Sequence, residues 1–397
     1  MKILVLNSGS SSLKYQVIDM NTEEMLVKGN YERIGQTKSF LTHKVRGIKR
    51  VFEHPAKNHE DAIKFVLKRL LSSEYGVISD LSELAGIGHR VVHGGEKFSS
   101  SVLITEDVIK EIEKCSHLAP LHNPAAILGI KACMKTLPNM KMVAVFDTAF
   151  HQTLPKEHYI YPIPYEYYEK YGVRKYGFHG TSHMYVAHRV AELLNKPIEE
   201  LKIINCHLGQ GASVCAIENG KSVETSMGLT PMGGIPMGTR SGDLDPSIVT
   251  YLMKKEHLNP DEMETILNKE SGAYGISQIS VDFRDIEAEA AINNKQAILA
   301  LANYNYQVAC YILRCAVAMN GVDVITFTAG VGEKGIESRE AICNYLKFIG
   351  AELDLEKNNV KGEEREISTP NSKIKLYIVP TNEELMIARE TLRVIND

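Results

Sequence analysis

The chain has 397 residues, 44% of them apolar and 24% charged, with a formal net charge of −4. That length accommodates two ordinary domains with real cores. The composition is that of a soluble globular protein, and the acidic balance argues against a nucleic-acid-binding surface while leaving room for a local basic pocket. No apolar run reaches membrane-spanning length, and the N-terminus reads as a strand without the sections of a signal peptide. Seven cysteines, with no C-x-x-C pair, point to a reducing cytoplasm.

Lys2 to Leu6 is an apolar, β-branched run that breaks into Asn7-Ser8-Gly9-Ser10-Ser11-Ser12, and a second strand-like run, Leu13 to Ile18, follows. Strand, Gly/Ser loop, strand aims backbone N–H groups and small hydroxyls at one anion, and Lys14 follows where its ammonium reaches the same phosphate. A plain hairpin has the same signature. A third strand falls near Met25 to Lys28, and a polar stretch runs to about Asn58. His59 to Ser72 has helical spacing at Ala62, Ile63, Phe65, Val66 and Leu70. Ala85 to Val92 is a strand entering His93-Gly94-Gly95-Glu96, with Arg90 near its end. Arg90 is either a paired surface residue or the partner of a carboxylate or phosphate in that open loop.

Thr105 caps a helix through Cys115, a Pro-containing interruption follows, and Ala125 to Lys135 is helical. Met140 to Phe146 is a strand that ends in Asp147. An Asp at the C-terminal end of a buried strand is where α/β enzymes place acidic catalytic residues, and an N-cap is the equal alternative. His179 lies on the loop before a helix from His183 to Leu194, a position suited to an anion contact, whereas His183 and His188 read as ordinary helix residues.

Ile203 to His207 then enters Leu208-Gly209-Gln210-Gly211-Ala212-Ser213 and a strand to Ile217, closed by the turn Glu218-Asn219-Gly220. Ile3 matches Ile203, Gly9 matches Gly209 and Asn7 falls on His207, so the opening unit occurs twice. Two such units imply two related domains with a ligand where they meet. Gly228 to Asp245 is a flexible Gly-rich loop whose Arg240 suits a closing arm, or else a solvated surface loop. Asp261 to Ser271 is helical, Asp282-Phe283-Arg284 follows, and a long helix spans about Asn294 to Met319. Val322 to Thr328 is a strand that enters the Gly loop Ala329 to Glu333, before a helix at Ser338. Strand, Gly loop and helix make a second phosphate or nucleoside cradle. Lys375 to Val379 is the last strand, and Thr381-Asn382-Glu383-Glu384 is a capping box for the last helix.

Taken together, Asn7 to Lys14, His89 to Gly95, Val145 to His151, Gly177 to His183 and Ser241 to Pro246 resemble the acetate kinases of the acetokinase family, from the first residues to Thr381-Asn382-Glu383-Glu384. The resemblance implies an α/β, two-domain fold of the actin, hexokinase and heat-shock-chaperone type. In it, duplicated β-sheet domains with flanking helices enclose an interdomain active-site cleft. The expected division is 1–147, completed by the helix at 382–397, and 148–381. The implied enzyme is a homodimer that phosphorylates acetate reversibly, using ATP and Mg²⁺, with Mn²⁺ as a substitute.

By the same resemblance, Asn7 and Glu383 would hold the metal, and Lys14 and Arg90 the substrate. Val92, Leu121, Phe178 and Pro231 would line the methyl pocket. Asp147, His179 and Arg240 would be catalytic. His207, Leu208, Gly209, Gln210, Gly211, Asp282, Phe283, Arg284, Gly330, Val331, Gly332, Glu333 and Lys334 would form the nucleotide site. Gln210 and Lys334 stand where the family pattern has Asn. A carboxylate acceptor is already ionised at pH 7, so Asp147 has no proton to abstract and is better suited to orientation. A propionate kinase and a non-metabolic ATPase of the same fold are the alternatives.

Overall fold

In the computed structural model, which describes residues 1–397, the chain divides into two compact units, residues 1–152 with 382–397 and residues 153–381. No helix is long and apolar enough to cross a membrane.

The first unit is built on eight strands: β1 Lys2–Ser8, β2 Ser12–Asp19, β3 Glu24–Glu32, β4 Phe40–Val45, β5 Ile48–Glu53, β6 Leu84–Val91, β7 Val102–Leu103 and β8 Met142–Phe146. Their spatial order is β5-β4-β3-β2-β1-β6-β8-β7. The apolar run Ile3 to Leu6 is buried because β1 lies inside the sheet, antiparallel to β2 and parallel to β6. Strands β4 and β5 fall in the stretch read as polar. Only alternate residues of β4 are buried, and β5 is an exposed, Lys- and Arg-bearing edge, so neither carries an apolar run.

One face of this sheet packs against helices His59–Leu70 and Asn123–Thr136, with Leu4, Leu6, Ile87, Val66 and Cys133 in the shared core. Across β1, β2, β6 and β8 also lies the C-terminal helix Glu383–Asn396. It approaches β6 closely because the strand offers glycine there: a Cβ on Gly88 would stand 2.3 Å from Thr391 Oγ1 and 2.7 Å from Ile387 Cγ2. The cap of that helix is Asn382, whose side chain accepts from Leu385 N at 3.1 Å, rather than a box begun by Thr381.

The second unit carries β9 Lys202–Leu208, β10 Ala212–Glu218, β11 Lys221–Thr225, β12 Val324–Thr328, β13 Arg365–Glu366 and β14 Lys375–Ile378, in the order β11-β10-β9-β12-β14-β13. Helix Gly180–Leu194 packs on β9 and β12, and helix Lys295–Ala318 on β9, β10 and β11. Of the small residues along the long helix, Ala297, Ala300 and Ala309 are core, and Ala302 is exposed. The Gly loop expected after β12 is itself helical, Ala329–Lys334, and is followed at once by helix Ile336–Leu346. A left-handed Ala329, φ 64°, makes the abrupt change of direction that two glycines suggested would be a loop.

Both opening units are antiparallel hairpins, but their registers differ by one residue. Asn7 faces Lys14 across β1 and β2, and His207 faces Ser213 across β9 and β10. Their loops differ: Gly9 N donates to Ser12 O at 2.8 Å, whereas Gly209 N donates to Gly211 O at 3.2 Å.

Gly88→Ala should push the C-terminal helix off β6 and lower the unfolding free energy by about 1–3 kcal/mol, the usual cost of overpacking. Urea denaturation checks this, and an unchanged midpoint would mean that the helix does not depend on the bare strand.

Candidate active site

Residues directly opposite on neighbouring strands point to the same face, and alternate residues return to it. Gly88 faces the C-terminal helix, so Arg90 does too. Val5 pairs with Gly88, which puts Asn7 on that face. Lys14 is opposite Asn7, and Val145 is opposite Arg90, which brings Asp147 to the same side. Asp147 lies just beyond β8 and continues its ladder, its N–H donating to Val91 O at 3.0 Å. The first unit therefore gathers Asn7, Lys14, Arg90 and Asp147 at one end of one sheet face, where Glu383 opens the helix packed on it.

Asp147 is a partner rather than a cap. Arg90 Nε donates to its Oδ1 at 3.1 Å and Arg90 Nη2 to its Oδ2 at 2.6 Å, a bidentate fork that fixes the guanidinium plane. The carboxylate is buried while a quarter of the Arg90 side chain remains exposed, so the fork is held from behind and presents its outer edge. Burial raises the Glu383 carboxyl to about 7, with Asp147 and Glu384 adding to the rise and Arg90 opposing it. A carboxyl in that state gains from a cation. Val92 is buried, whereas Leu121 is 77% exposed.

In the second unit, His179 is the N-cap of helix Gly180–Leu194 and has a left-handed backbone, φ 57°. Its ring stacks on His207, centroids 4.1 Å apart. Arg240 joins them: a Cβ on Gly211 would stand 3.3 Å from Arg240 Nη1 and 3.5 Å from His179 Nε2. Burial lowers the Arg240 guanidinium from its ordinary value.

The Gly-rich segment that carries Arg240 is neither a free arm nor a solvated loop. Gly234 N donates to Asp243 Oδ1 at 2.7 Å, Ala273 N to Met237 O at 2.9 Å and Tyr274 N to Gly238 O at 2.9 Å. Tyr311 donates to the Asp243 carboxylate, and Arg240 Nη1 donates to the Pro231 carbonyl at 3.2 Å. The glycines allow close packing here: Gly234, Ile235, Met237 and Gly238 are buried.

The expected nucleotide residues lie on three segments that approach one another: a Cβ on Gly209 would stand 3.4 Å from Ala329 Cβ, and one on Gly238 2.6 Å from Gln210 Nε2 and 3.2 Å from Val281 O. His207, Leu208, Gly209, Gln210 and Gly211 make the end of β9 and its hairpin. Asp282 caps helix Phe283–Ala291 and pairs with the exposed Arg284, while Phe283 is buried against Tyr304, ring centroids 4.7 Å apart. Val331 and Gly332 are buried in the turn after β12, and a Cβ on Gly330 would meet nothing within 4 Å. Glu333 folds back to accept from Ala329 N at 2.8 Å and Thr381 N at 3.3 Å. Thr381 Oγ1 meets Ser182 Oγ at 2.7 Å, and Ser182 Oγ meets His207 Nδ1 at 2.8 Å, so this turn is tied to the hairpin. Lys334 is exposed, and the Gln210 amide lies over Gly238, where a Cβ would stand 2.6 Å from its Nε2. Phe178 is buried and Pro231 half-buried.

Sequence reasoning missed two supports. His183, read as an ordinary helix residue, is fully buried and bonded to Ser213 and Asn205. Arg339 is a fully buried guanidinium that donates to Gly332 O, Asn358 O and Val360 O, each at 2.9 Å, and to Asn358 Oδ1 at 2.7 Å. Burial among these neutral acceptors lowers it to about 10. No local pattern signals either residue, because their partners lie on other elements.

The acetokinase family profile matches residues 2–389. The acetate kinase of Thermoanaerobacterium thermosaccharolyticum is 60% identical over 397 residues, 100% of this chain and 99% of its own. Among solved structures, the acetate kinase of Porphyromonas gingivalis is similar at a TM-score of 0.96 and 46% identity, covering 99% of both chains. A propionate kinase from Francisella tularensis subsp. tularensis SCHU S4 is similar at 0.91 and 40% identity, again over 99% of both chains.

Arg90→Ala leaves the buried Asp147 carboxylate without its fork and should lower the unfolding free energy by about 1–3 kcal/mol. Chemical denaturation measures it, with Arg90→Lys expected to recover only part. Unchanged stability would mean that the pair holds nothing in place.

Proposed function

This chain belongs to the acetokinase family and is a kinase whose acceptor is a carboxylate, and we propose that its reaction is the reversible transfer of the γ-phosphoryl group of ATP to acetate, giving acetyl phosphate and ADP. The observation that carries the assignment of roles is the Arg90–Asp147 fork. It presents an oriented guanidinium edge on the same sheet face as Lys14 and Asn7.

In this reading Arg90 and Lys14 hold the acetate carboxylate, and Asp147 orients Arg90. Acetate is ionised at neutral pH and attacks phosphorus directly, so no residue removes a proton. The transferring group carries its charge on three equatorial oxygens. His179 and Arg240, which lie together beside Gly211, meet that charge, and the hairpin at His207–Gly211 with the turn Gly330–Lys334 takes the nucleotide. Asn7 and Glu383 would hold Mg²⁺. An amide and a carboxyl oxygen suit a hard cation bound largely through phosphate and water, and a carboxyl raised by burial is one that gains from it. When bound, the ion neutralises phosphate charge. Val92, Leu121, Phe178 and Pro231 bound the acid's alkyl group. Seven free cysteines suit a reducing cytoplasm, and the assembly we assign is a homodimer.

The likeness to a propionate kinase favours a second reading, in which a longer acid is the better acceptor. Trapping the acyl phosphate with hydroxylamine across a series of acids decides between them. Acetate is expected to lead, and nucleotide hydrolysis with no acyl phosphate would sink both readings. Val92→Ala should shift the acetate-to-propionate ratio of kcat/KM toward propionate by roughly fivefold, one methylene being worth about 1 kcal/mol. If that ratio stays put, Val92 does not face the alkyl group.

Gln210 and Lys334 bear on the donor. Gln210 reaches one methylene farther than Asn and lies over Gly238, and Lys334 can donate but not accept where an amide does both. Discrimination between ATP and GTP should therefore be weaker than in the double variant Gln210→Asn/Lys334→Asn. If the double change leaves kcat/KM for ATP, for GTP and for pyrophosphate each within about twofold of the wild type, the two residues are neutral.

A further inference from the structure

Four fully buried polar side chains of the second unit form an unbroken hydrogen-bonded line that ends on His179. Thr326 Oγ1, on β12, donates to Asn205 Oδ1 at 2.8 Å, and Asn205 Nδ2, on β9, meets His183 Nδ1 at 2.8 Å. His183 Nε2 meets Ser213 Oγ at 2.8 Å, and Ser213 Oγ, on β10, meets His179 Nδ1 at 2.9 Å. Thr326, Asn205, His183 and Ser213 are all at 0% exposure. A line of this kind has a direction, because each bond has one donor and one acceptor.

Thr326 sets the direction. With its hydroxyl hydrogen on Asn205 Oδ1, the amide nitrogen faces His183. Turning the amide round would leave that hydroxyl to donate across 3.5 Å to the Ile204 carbonyl, the poorer bond. The amide N–H therefore donates to His183 Nδ1, which must be the bare nitrogen of that ring. The His183 hydrogen is then on Nε2 and is donated to Ser213 Oγ, and the Ser213 hydrogen goes to His179 Nδ1. His179 accepts at Nδ1, so its own hydrogen is on Nε2.

We propose that Thr326 and Asn205 are positioning residues that act through His183 and Ser213 to hold His179 as its Nε2–H tautomer, a hydrogen-bond donor toward the transferring phosphoryl group. The catalytic half of the proposal rests on the reading that His179 meets that group. Nε2 and the Arg240 guanidinium both lie beside Gly211, so the donor and the cation address one place. The opposite tautomer would turn a lone pair toward phosphoryl oxygens and repel the charge that develops there. His207, stacked on His179, holds the plane of the ring, and the buried line decides which of its nitrogens carries hydrogen.

Asn205→Asp reverses the line with almost no change of shape. A carboxylate can only accept, so His183 donates from Nδ1, accepts at Nε2 from Ser213, and obliges His179 Nδ1 to carry the hydrogen. Histidine-selective ¹⁵N spectra of the full chain should show His179 as Nε2–H in the wild type and as Nδ1–H in Asn205→Asp. With that change kcat should fall about tenfold or more, while KM for ATP and for acetate moves less than about threefold. Thr326→Val, which keeps the shape and removes the directing hydroxyl, should give a mixture of both tautomers, and Thr326→Ser should restore the single one. It serves as the test if Asn205→Asp does not fold. An Nδ1–H signal in the wild type, or a His179 spectrum that neither variant alters, overturns the line. A reversed tautomer with unchanged kcat overturns the role of His179 in transfer and leaves the line standing, so the two failures are distinguishable.

Discussion

The first unit of this protein depends on a contact between a helix and two glycines of a strand. Because β6 offers Gly86 and Gly88 to the C-terminal helix, Ile387, Thr391 and Ile395 come close to its backbone. That approach sets the depth at which Glu383 begins the helix and lays it across β1, β2, β6 and β8. Two residues beyond Gly88 on the same face is Arg90, and the fork to Asp147 then joins the ends of β6 and β8. Packing thus comes first, and the electrostatics of the site follow from where it leaves the carboxyl groups.

In the second unit the same problem, placing polar groups at strand ends, has a different solution. The hairpin at Gly209–Gly211 is short enough to bring Arg240 and His179 beside a residue without a side chain. Fixed acceptors and donors stand behind them: the Pro231 carbonyl behind Arg240, Ser213 behind His179 and Ser182 behind His207. Groups anchored in this way need little reorganisation when charge develops in front of them, and that is the larger part of what a phosphoryl-transfer site must supply.

Local chemistry made a good part of this legible in the amino-acid order. The apolar runs of β1, β6, β8, β9 and β12 read as strands because they are buried on both faces, and both strand–loop–strand units are antiparallel hairpins. Asp147 stood out because it follows such a run. What escaped was set by distant contacts. Strands β4 and β5 pair at an edge where few apolar residues are needed. The turn after β12 is helical because Glu333 folds back on Ala329 and Thr381, 48 residues away. His183 is buried against Ser213 and Asn205, partners on β10 and β9 that its own helix does not announce, while His188 on the same helix is exposed.

The C-terminal helix also orders events during synthesis. Its partners on β1 and β6 are made first, and residues 153–381 form a continuous unit that emerges between them. Domains generally fold as they leave the ribosome, N-terminal parts first, so the first sheet waits with one face bare until residues 382–397 arrive. Contacts of such long sequence separation form late and slowly. The same helix brings Glu383, so a nascent chain without this helix has neither a closed first core nor the carboxyl proposed as a metal ligand.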